Sequence, residues 1–209
     1  MEIKDTYTTI AKATEEILFK EKSSKFFGYA FPIQSEEEVK PIIEQLRKLH
    51  PHAVHYCYAY QIGTEKISYR ANDDGEPSNT AGAPIYGQIQ SFGLTNVLLV
   101  VVRIFGGIKL GVGGLISAYK TTAQLVLEEA EIIEKTIDIS FLISFDYKNM
   151  NKVMRVIKEK KLDIVSQTME LEEDSGIALG KIEIKTRKKN AELIFDIFDN
   201  LFEIEIKRL

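Results

Sequence analysis

Apolar and polar positions alternate along the first two thirds of the chain in a way that predicts a mixed α/β unit. The pattern favours strands at 16–22, 25–32, 53–62, 66–70 and 97–105, and helices at about 36–49, 85–92 and 115–133. Ser35 followed by Glu36, Glu37 and Glu38 is a capping-box signature for the first helix, and His50-Pro51 ends it. Ser23 and Ser24 form a short polar turn between the first two strands.

The last third restarts as a second unit. Strands are predicted at 137–145, 162–171, 176–185 and 202–207, and helices at 148–161 and from Asn190 onwards. An acidic turn at 172–176 separates the second and third of these strands. The order βαββαβ is typical of a ferredoxin-like domain. We therefore expect an α+β protein with domains at 1–136 and 137–209.

Composition narrows the class of protein. The longest apolar run, 97–102, is far too short to span a bilayer, and the start of the chain lacks a signal-peptide pattern. The single Cys57 cannot form an internal disulfide, and no Cys/His spacing suits zinc. These features predict a cytoplasmic protein with no membrane, metal or cofactor partner. The net charge of −4 provides no global attraction for nucleic acid, so such binding would need a local patch.

Residues 72–84, here called the acidic loop, contain too many turn formers for a strand or a helix. The candidate functional side chains in it are Asp73, Asp74, Glu76, Ser78 and Thr80. Clustered carboxylates bind divalent ions, act as acid and base, or hold a basic partner. The alternative is a solvated turn in which these side chains hydrogen-bond backbone amides. The spacing does not fit an EF-hand.

The glycine-rich segment, 106–114, follows a buried strand and opens into a helix. It contains Gly106, Gly107, Gly111, Gly113 and Gly114 together with Lys109, and Arg103 precedes it. Free amides at a helix N-terminus attract anions, so the segment is a candidate phosphate or anion surface. The alternative is that the glycines serve backbone geometry and close packing. Neither a Walker loop nor a dinucleotide fingerprint is present.

Two further segments contain candidate chemistry. Alternation places His55 and Cys57 on one strand face, as a nucleophile and base or as ordinary core residues, and a tyrosine row on the other. The basic run at 185–189 includes Arg187, Lys188 and Lys189 as candidate nucleic-acid contacts, or as a solvated charge run. The two neighbouring strands of that unit lack the aromatic pair with which an RNA-recognition motif stacks bases.

Residues 70–85 and 96–119 closely resemble the two signature motifs of the IMPACT, or YigZ-like, family. The segment HPHAVHYCYAY, 50–60, resembles a strand of the same family, and the second unit is similar to the C-terminal domain of its bacterial two-domain branch. Asn79 stands where the family usually has glycine, and Asn tolerates the left-handed backbone better than most residues.

The resemblance implies a first domain with the α/β fold of a ribosomal-protein domain (domain 2-like) and a ferredoxin-like second domain. It also implies translation-linked or nucleic-acid-binding work. We therefore expect a non-catalytic binding protein that engages RNA, the ribosome or a translation factor. The alternatives are an enzyme that uses the acidic loop and the glycine-rich segment on a phosphorylated substrate, and a protein–protein adaptor. We also expect the two motifs to meet in space, and the sequence leaves the oligomeric state open.

Overall fold

The computed structural model describes residues 4–171 and 178–209, which form two compact units. One unit is Tyr7–Lys135, and the other combines Thr136–Leu209 with the described residues before Tyr7. The strands are β1 (Thr6–Ile10), β2 (Ile17–Glu21), β3 (Ser24–Pro32), β4 (His55–Ile62), β5 (Ser68–Asn72), β6 (Val97–Ile104), β7 (Ile132–Thr136), β8 (Asp138–Asp146), β9 (Asp163–Leu171), β10 (Ala178–Arg187) and β11 (Ile204–Arg208). The helices are α1 (Val39–Leu49), α2 (Gly82–Ser91), α3 (Gly111–Glu128), α4 (Met150–Lys160) and α5 (Ala191–Asp199).

The unit Tyr7–Lys135 is built on a five-stranded sheet in the order β2-β3-β6-β4-β5, in which every neighbouring pair is antiparallel. Helices α2 and α3 contribute to the core on one face of this sheet, and α1 packs over the other face. Residues 97–102 of the central strand β6 are fully buried. A strand covered on both faces has a continuous apolar run instead of alternation, which explains the sequence of β6.

The start of α1 follows the capping signal in the sequence. Ser35 and Glu38 form the capping box, in which the Glu38 carboxylate accepts hydrogen bonds from the backbone N–H groups of Gln34 and Ser35 at 2.7 and 3.0 Å. The helix ends at Leu49, immediately before His50-Pro51. The capping box thus begins a 3₁₀ turn, Glu36–Glu38, that leads directly into α1, and His50-Pro51 marks where α1 ends.

The second unit has the predicted ferredoxin-like arrangement. Its sheet order is β11-β8-β10-β9, antiparallel throughout, with α4 and α5 in the βαββαβ connections. Val153 and Ile157 of α4 share a core with Phe198 of α5 and Ile143 of β8. The acidic turn predicted at 172–176 lies outside the described residues.

Several predicted boundaries were wrong. Helix α2 begins at Gly82 rather than at 85, and α3 spans Gly111–Glu128 rather than 115–133. The sequence after α3 instead forms β7, which pairs with β1 in a separate two-stranded sheet, and neither strand was predicted. Among the described residues, no helix combines the length and the apolar composition that a membrane crossing requires.

Candidate functional site

Asp73 shapes the acidic loop from within. Its Oδ1 accepts hydrogen bonds from the N–H groups of Ala81 and Gly82 at 2.9 and 2.8 Å, and its Oδ2 accepts one from Asn79 at 2.9 Å. Since the first amides of a helix have no partner within the helix, a carboxylate at this point stabilises the start of α2. Asp73 therefore acts as the cap of α2, and the early start of that helix follows from it.

Asp74 connects the loop to β4 and α1. Its Oδ2 accepts a hydrogen bond from the Tyr56 N–H at 2.7 Å and lies 3.2 Å from Arg47 Nη2, and its carbonyl oxygen is 2.8 Å from His55 Nδ1. Asp74 and Asn79 have left-handed backbones, with φ of 38° and 62°. Asn79 thus adopts the conformation expected where the resemblance places a glycine.

Glu76 and Arg103 form a buried ion pair that joins the two motifs. Glu76 Oε1 lies 2.6 Å from Arg103 Nη1 and accepts a hydrogen bond from the Tyr119 hydroxyl at 2.8 Å. The Arg103 guanidinium is flanked by the rings of Phe26 and Phe105, at 5.5 and 5.4 Å from their centroids. The acidic loop, β6 and α3 therefore share one polar cluster, and the two motifs meet in space at Glu76.

Cys57 belongs to the same cluster and is not an activated nucleophile. Its Sγ lies 3.0 Å from the Asp73 carbonyl oxygen and 3.3 Å from the Tyr119 hydroxyl. Burial raises the pKa of the Cys57 thiol, so the thiolate that nucleophilic chemistry needs is disfavoured. Burial also raises the pKa of the Tyr119 hydroxyl, which remains a hydrogen-bond donor to Glu76. Of the two interpretations of Cys57, the contacts favour the core residue.

The two motifs line one open cavity of about 400 Å³, here called the glycine-loop cavity. The acidic loop contributes Glu76 and Pro77, and the remaining wall comes from the end of β6, the glycine-rich segment and the first turns of α3. The lining residues from that second stretch are Arg103, Phe105, Lys109, Leu110, Gly111, Val112 and Leu115. Among them, the Lys109 side chain is exposed and Arg103 is buried.

The glycines of the segment divide by their surroundings. A Cβ on Gly106 would lie 2.0 Å from the Ser23 carbonyl oxygen, so this glycine permits close backbone packing. A Cβ added at Gly107, Gly111 or Gly113 would have no neighbouring atom within 4 Å, and the first two of these glycines have positive φ. Gly114 would place a Cβ 3.1 Å from Leu110 Cβ. Both sequence interpretations therefore apply, to different glycines: Gly106 and Gly114 serve packing, and Gly107, Gly111 and Gly113 leave the backbone accessible.

The N-terminus of α3 lies in this accessible region. The helix has 18 residues, and its N-cap, Leu110, provides no side-chain hydrogen bond. Gly111 and Gly113 in the first turn are exposed, and no acidic residue stands there. The helix dipole and the unpaired first amides favour a negative group at this end. The N-terminus of α3, together with the neighbouring Lys109, therefore forms a surface that attracts anions.

Gly113→Ala is expected to stabilise the protein by about 0.5 kcal/mol, since alanine loses less backbone entropy in a helix and the position has room. The measurement is urea unfolding followed by far-UV circular dichroism. Gly107→Ala is the matched control, because its site is equally open but has φ of 86°. That variant should destabilise the protein by about 1 kcal/mol. A destabilised Gly113→Ala would mean that the start of α3 is not an unobstructed helix terminus.

The remaining predicted residues lie away from the cavity lining or are engaged elsewhere. Ser78 is exposed on the acidic loop, and Thr80 is buried with its hydroxyl donating to the Pro77 carbonyl oxygen at 2.7 Å. In the second unit, Arg187 Nη2 lies 2.9 Å from Asp5 Oδ2, and Lys189 Nζ lies 4.0 Å from the same oxygen. Lys188 also has an interaction partner. The basic run is thus partly neutralised within its own unit.

Within residues 4–171 and 178–209, no three His, Cys, Asp or Glu side chains converge as a metal site would require. The sequence interpretation did not identify Phe105, Val112 and Tyr119 as functional residues. Tyr119 reads as one apolar position of an amphipathic helix, and only its approach to Glu76 gives it a polar role. The signal available in the sequence was that Phe105 and Val112 are large apolar residues next to glycines, and the structure shows both to be exposed.

The comparisons with known proteins identify the class of this two-unit α/β chain. The family model for the Impact N-terminal domain matches residues 22–127. IMPACT family member YvyE of Bacillus subtilis is 36% identical over 156 residues, which cover 75% of this chain and 71% of that protein. IMPACT family member YigZ of Escherichia coli is 33% identical over 134 residues, covering 63% and 66%. The chain therefore belongs to the IMPACT family.

The fold extends to a solved structure at low sequence identity. A crystal structure of a hypothetical protein superposes with a TM-score of 0.73 and 24% identity, covering 99% of this chain and 98% of its own. This likeness concerns the fold of the two units.

Proposed function

We propose that this chain is a non-catalytic, translation-linked binding protein that engages RNA, the ribosome or a translation factor through the glycine-loop cavity. The observation that carries the proposal is that the carboxylates of the acidic loop are directed at groups of the chain itself. Asp73, Asp74 and Glu76 each accept hydrogen bonds from the chain itself. The chemistry that the two motifs present outward is then the α3 N-terminus and Lys109, which favour an anionic partner.

The same contacts weigh against an enzyme built on the acidic loop. A general base or an ion ligand needs a carboxylate lone pair directed at the reacting group. The Asp73 oxygens are directed at three backbone amides, and Glu76 at Arg103 and Tyr119. The translation link rests on the ribosomal-protein-like fold that the family resemblance implies. The binding role rests on separate evidence, namely the glycine-loop cavity.

The test is co-sedimentation of the purified chain with ribosomes at low and at moderate salt. We expect retention at low salt that falls as salt rises, and about fivefold weaker retention for Lys109→Ala, since one exposed charge pair is lost. Lys120→Ala is the matched control, because Lys120 is an exposed lysine of α3 that lies about 13 Å along the helix axis from Gly111. It should be retained like the wild type.

The source of the ribosomes separates direct from indirect binding. Retention on salt-washed ribosomes indicates contact with ribosomal RNA or protein, and retention only on unwashed ribosomes indicates contact through an associated factor. An absence of retention on both at low salt contradicts the proposal. Equal losses for Lys109→Ala and Lys120→Ala would contradict the role of the glycine-loop cavity.

A further inference from the structure

We propose that the glycine-loop cavity binds a protein segment in which an acidic side chain stands next to a large apolar side chain. The inference deepens the proposed function and rests on it for the location of the site. It specifies the class of partner: a protein, and not RNA. Three features of the cavity carry it: an apolar rim, a positive electrostatic centre, and the scarcity of exposed cations.

Large apolar side chains are exposed in the lining of the cavity and at positions close to that lining along the chain. Phe105, Ile108, Val112 and Ile116 are between 38% and 59% exposed. Phe105 and Val112 line the cavity itself, and Ile116 lies one helical turn beyond Val112 on the same face of α3. Scattered exposed apolar residues are ordinary, but a cluster at the mouth of a cavity marks an interaction surface. A partner that covers it must bring apolar surface of its own.

Besides Lys109, two independent observations point to a negative ligand in this cavity. One is the uncapped N-terminus of the 18-residue helix α3. The other is Arg103, which lines the cavity, is only 5% exposed, and has a buried Nε–H without a hydrogen-bond partner among the described residues. A buried unpaired donor costs free energy unless a ligand satisfies it. Since Glu76 balances the Arg103 charge, the cavity calls for a single negative group such as a carboxylate.

The composition of the lining selects a protein rather than a nucleic acid. Phosphate backbones are bound by several cations along a groove, and single strands are held by stacked aromatic rings. Among its described lining residues, this cavity has one exposed cation, Lys109, and a single exposed aromatic ring, that of Phe105. An acidic side chain beside a Leu, Ile or Phe matches both the charge and the rim.

The experiment uses an array of eight-residue peptides, each with one Asp or Glu beside a Phe, Leu or Ile, and a second array with Asn or Gln in place of the acid. The full chain should bind a subset of the acidic peptides at least fivefold more strongly than their amide counterparts. Lys109→Ala should remove that preference, and Val112→Ser should lower binding of all members of the subset. Lys120→Ala and Val165→Ser, which change an exposed lysine and an exposed valine elsewhere, should bind as the wild type does.

Methyl NMR then locates the best peptide. Its addition should shift the signals of Val112, Leu115 and Ile116, while a twelve-residue uridine oligonucleotide and inorganic phosphate leave them in place. Shifts with the oligonucleotide but not with peptide would overturn the proposal in favour of a nucleic-acid surface, and shifts with phosphate alone would reduce the site to a small-anion site. Binding of no peptide overturns it as well. If ribosome retention still depends on Lys109 in those cases, the proposed function stands without this partner class.

Discussion

Glu76→Ala is expected to lower the free energy of unfolding by about 3–5 kcal/mol, the largest effect of any single change considered. The substitution leaves the Arg103 guanidinium buried without its counter-charge and removes the acceptor of the Tyr119 hydroxyl. Breaking one side of a buried ion pair costs this much because the remaining charge stays out of water. Urea unfolding followed by far-UV circular dichroism measures it, since the chain has no tryptophan for fluorescence.

Two variants separate the buried charge from general damage. Glu15→Gln removes an exposed carboxylate of the same unit and should change the stability by less than about 0.5 kcal/mol. The double variant Glu76→Leu with Arg103→Met replaces the pair by apolar side chains and should recover a large part of the loss. A double variant as unstable as Glu76→Ala would show that the packing of the acidic loop, and not the unpaired charge, sets the cost.

Gly106→Ala is expected to destabilise the protein by about 3 kcal/mol, the second largest effect. The new Cβ would lie 2.0 Å from the carbonyl oxygen of Ser23 and 2.6 Å from the backbone nitrogen of Ser24, so the backbone itself must move. The turn between β2 and β3 has little freedom to retreat, because Lys22 and Ser23 both have positive φ, and Ser24 Oγ accepts a hydrogen bond from Gly106. Thermal unfolding should show a lower midpoint.

The neighbouring glycine provides the comparison. In Gly107→Ala the new Cβ has no neighbour within 4 Å, and the only cost is the positive φ at this position. Its loss of stability, about 1 kcal/mol, should therefore be clearly smaller. Equal losses at the two positions would indicate that backbone conformation, and not the approach to Ser23, explains the glycine at 106.

The sequence was sufficient where the determining interactions are local. A few consecutive residues are enough to predict the capping box at Ser35, the turn after β2 and the buried strand β6. The strands β1 and β7 were not predictable in this way, since both have only five residues and are defined by their pairing with each other across the chain. The glycines at the start of α3 concealed its first turn, because glycine is a poor helix former.

The sequence was sufficient to identify the residues of the candidate site, but not to show which way their side chains point. Motif spacing selected Asp73, Glu76 and Arg103, but a sequence does not reveal whether a carboxylate faces solvent or a buried partner. The carboxylate of Asp73 is directed at the backbone N–H donors at the start of α2. The carboxylate of Glu76 is directed at the guanidinium of Arg103, which the sheet brings close. Lys109 and the open glycines face outward, whereas composition alone had also allowed a purely architectural role for this segment.

The pairing of β1 with β7 has a consequence for how the chain acquires its structure during synthesis. β1 leaves the ribosome before the other elements of the first unit, and its partner strand β7 is the last element of that unit to emerge. Closing this contact brings together the two ends of the first unit, so it carries a high entropic cost of chain closure. The first unit therefore completes its folding only after β7 has emerged, and until then the edge of β1 depends on other contacts, such as its bridge to Leu94.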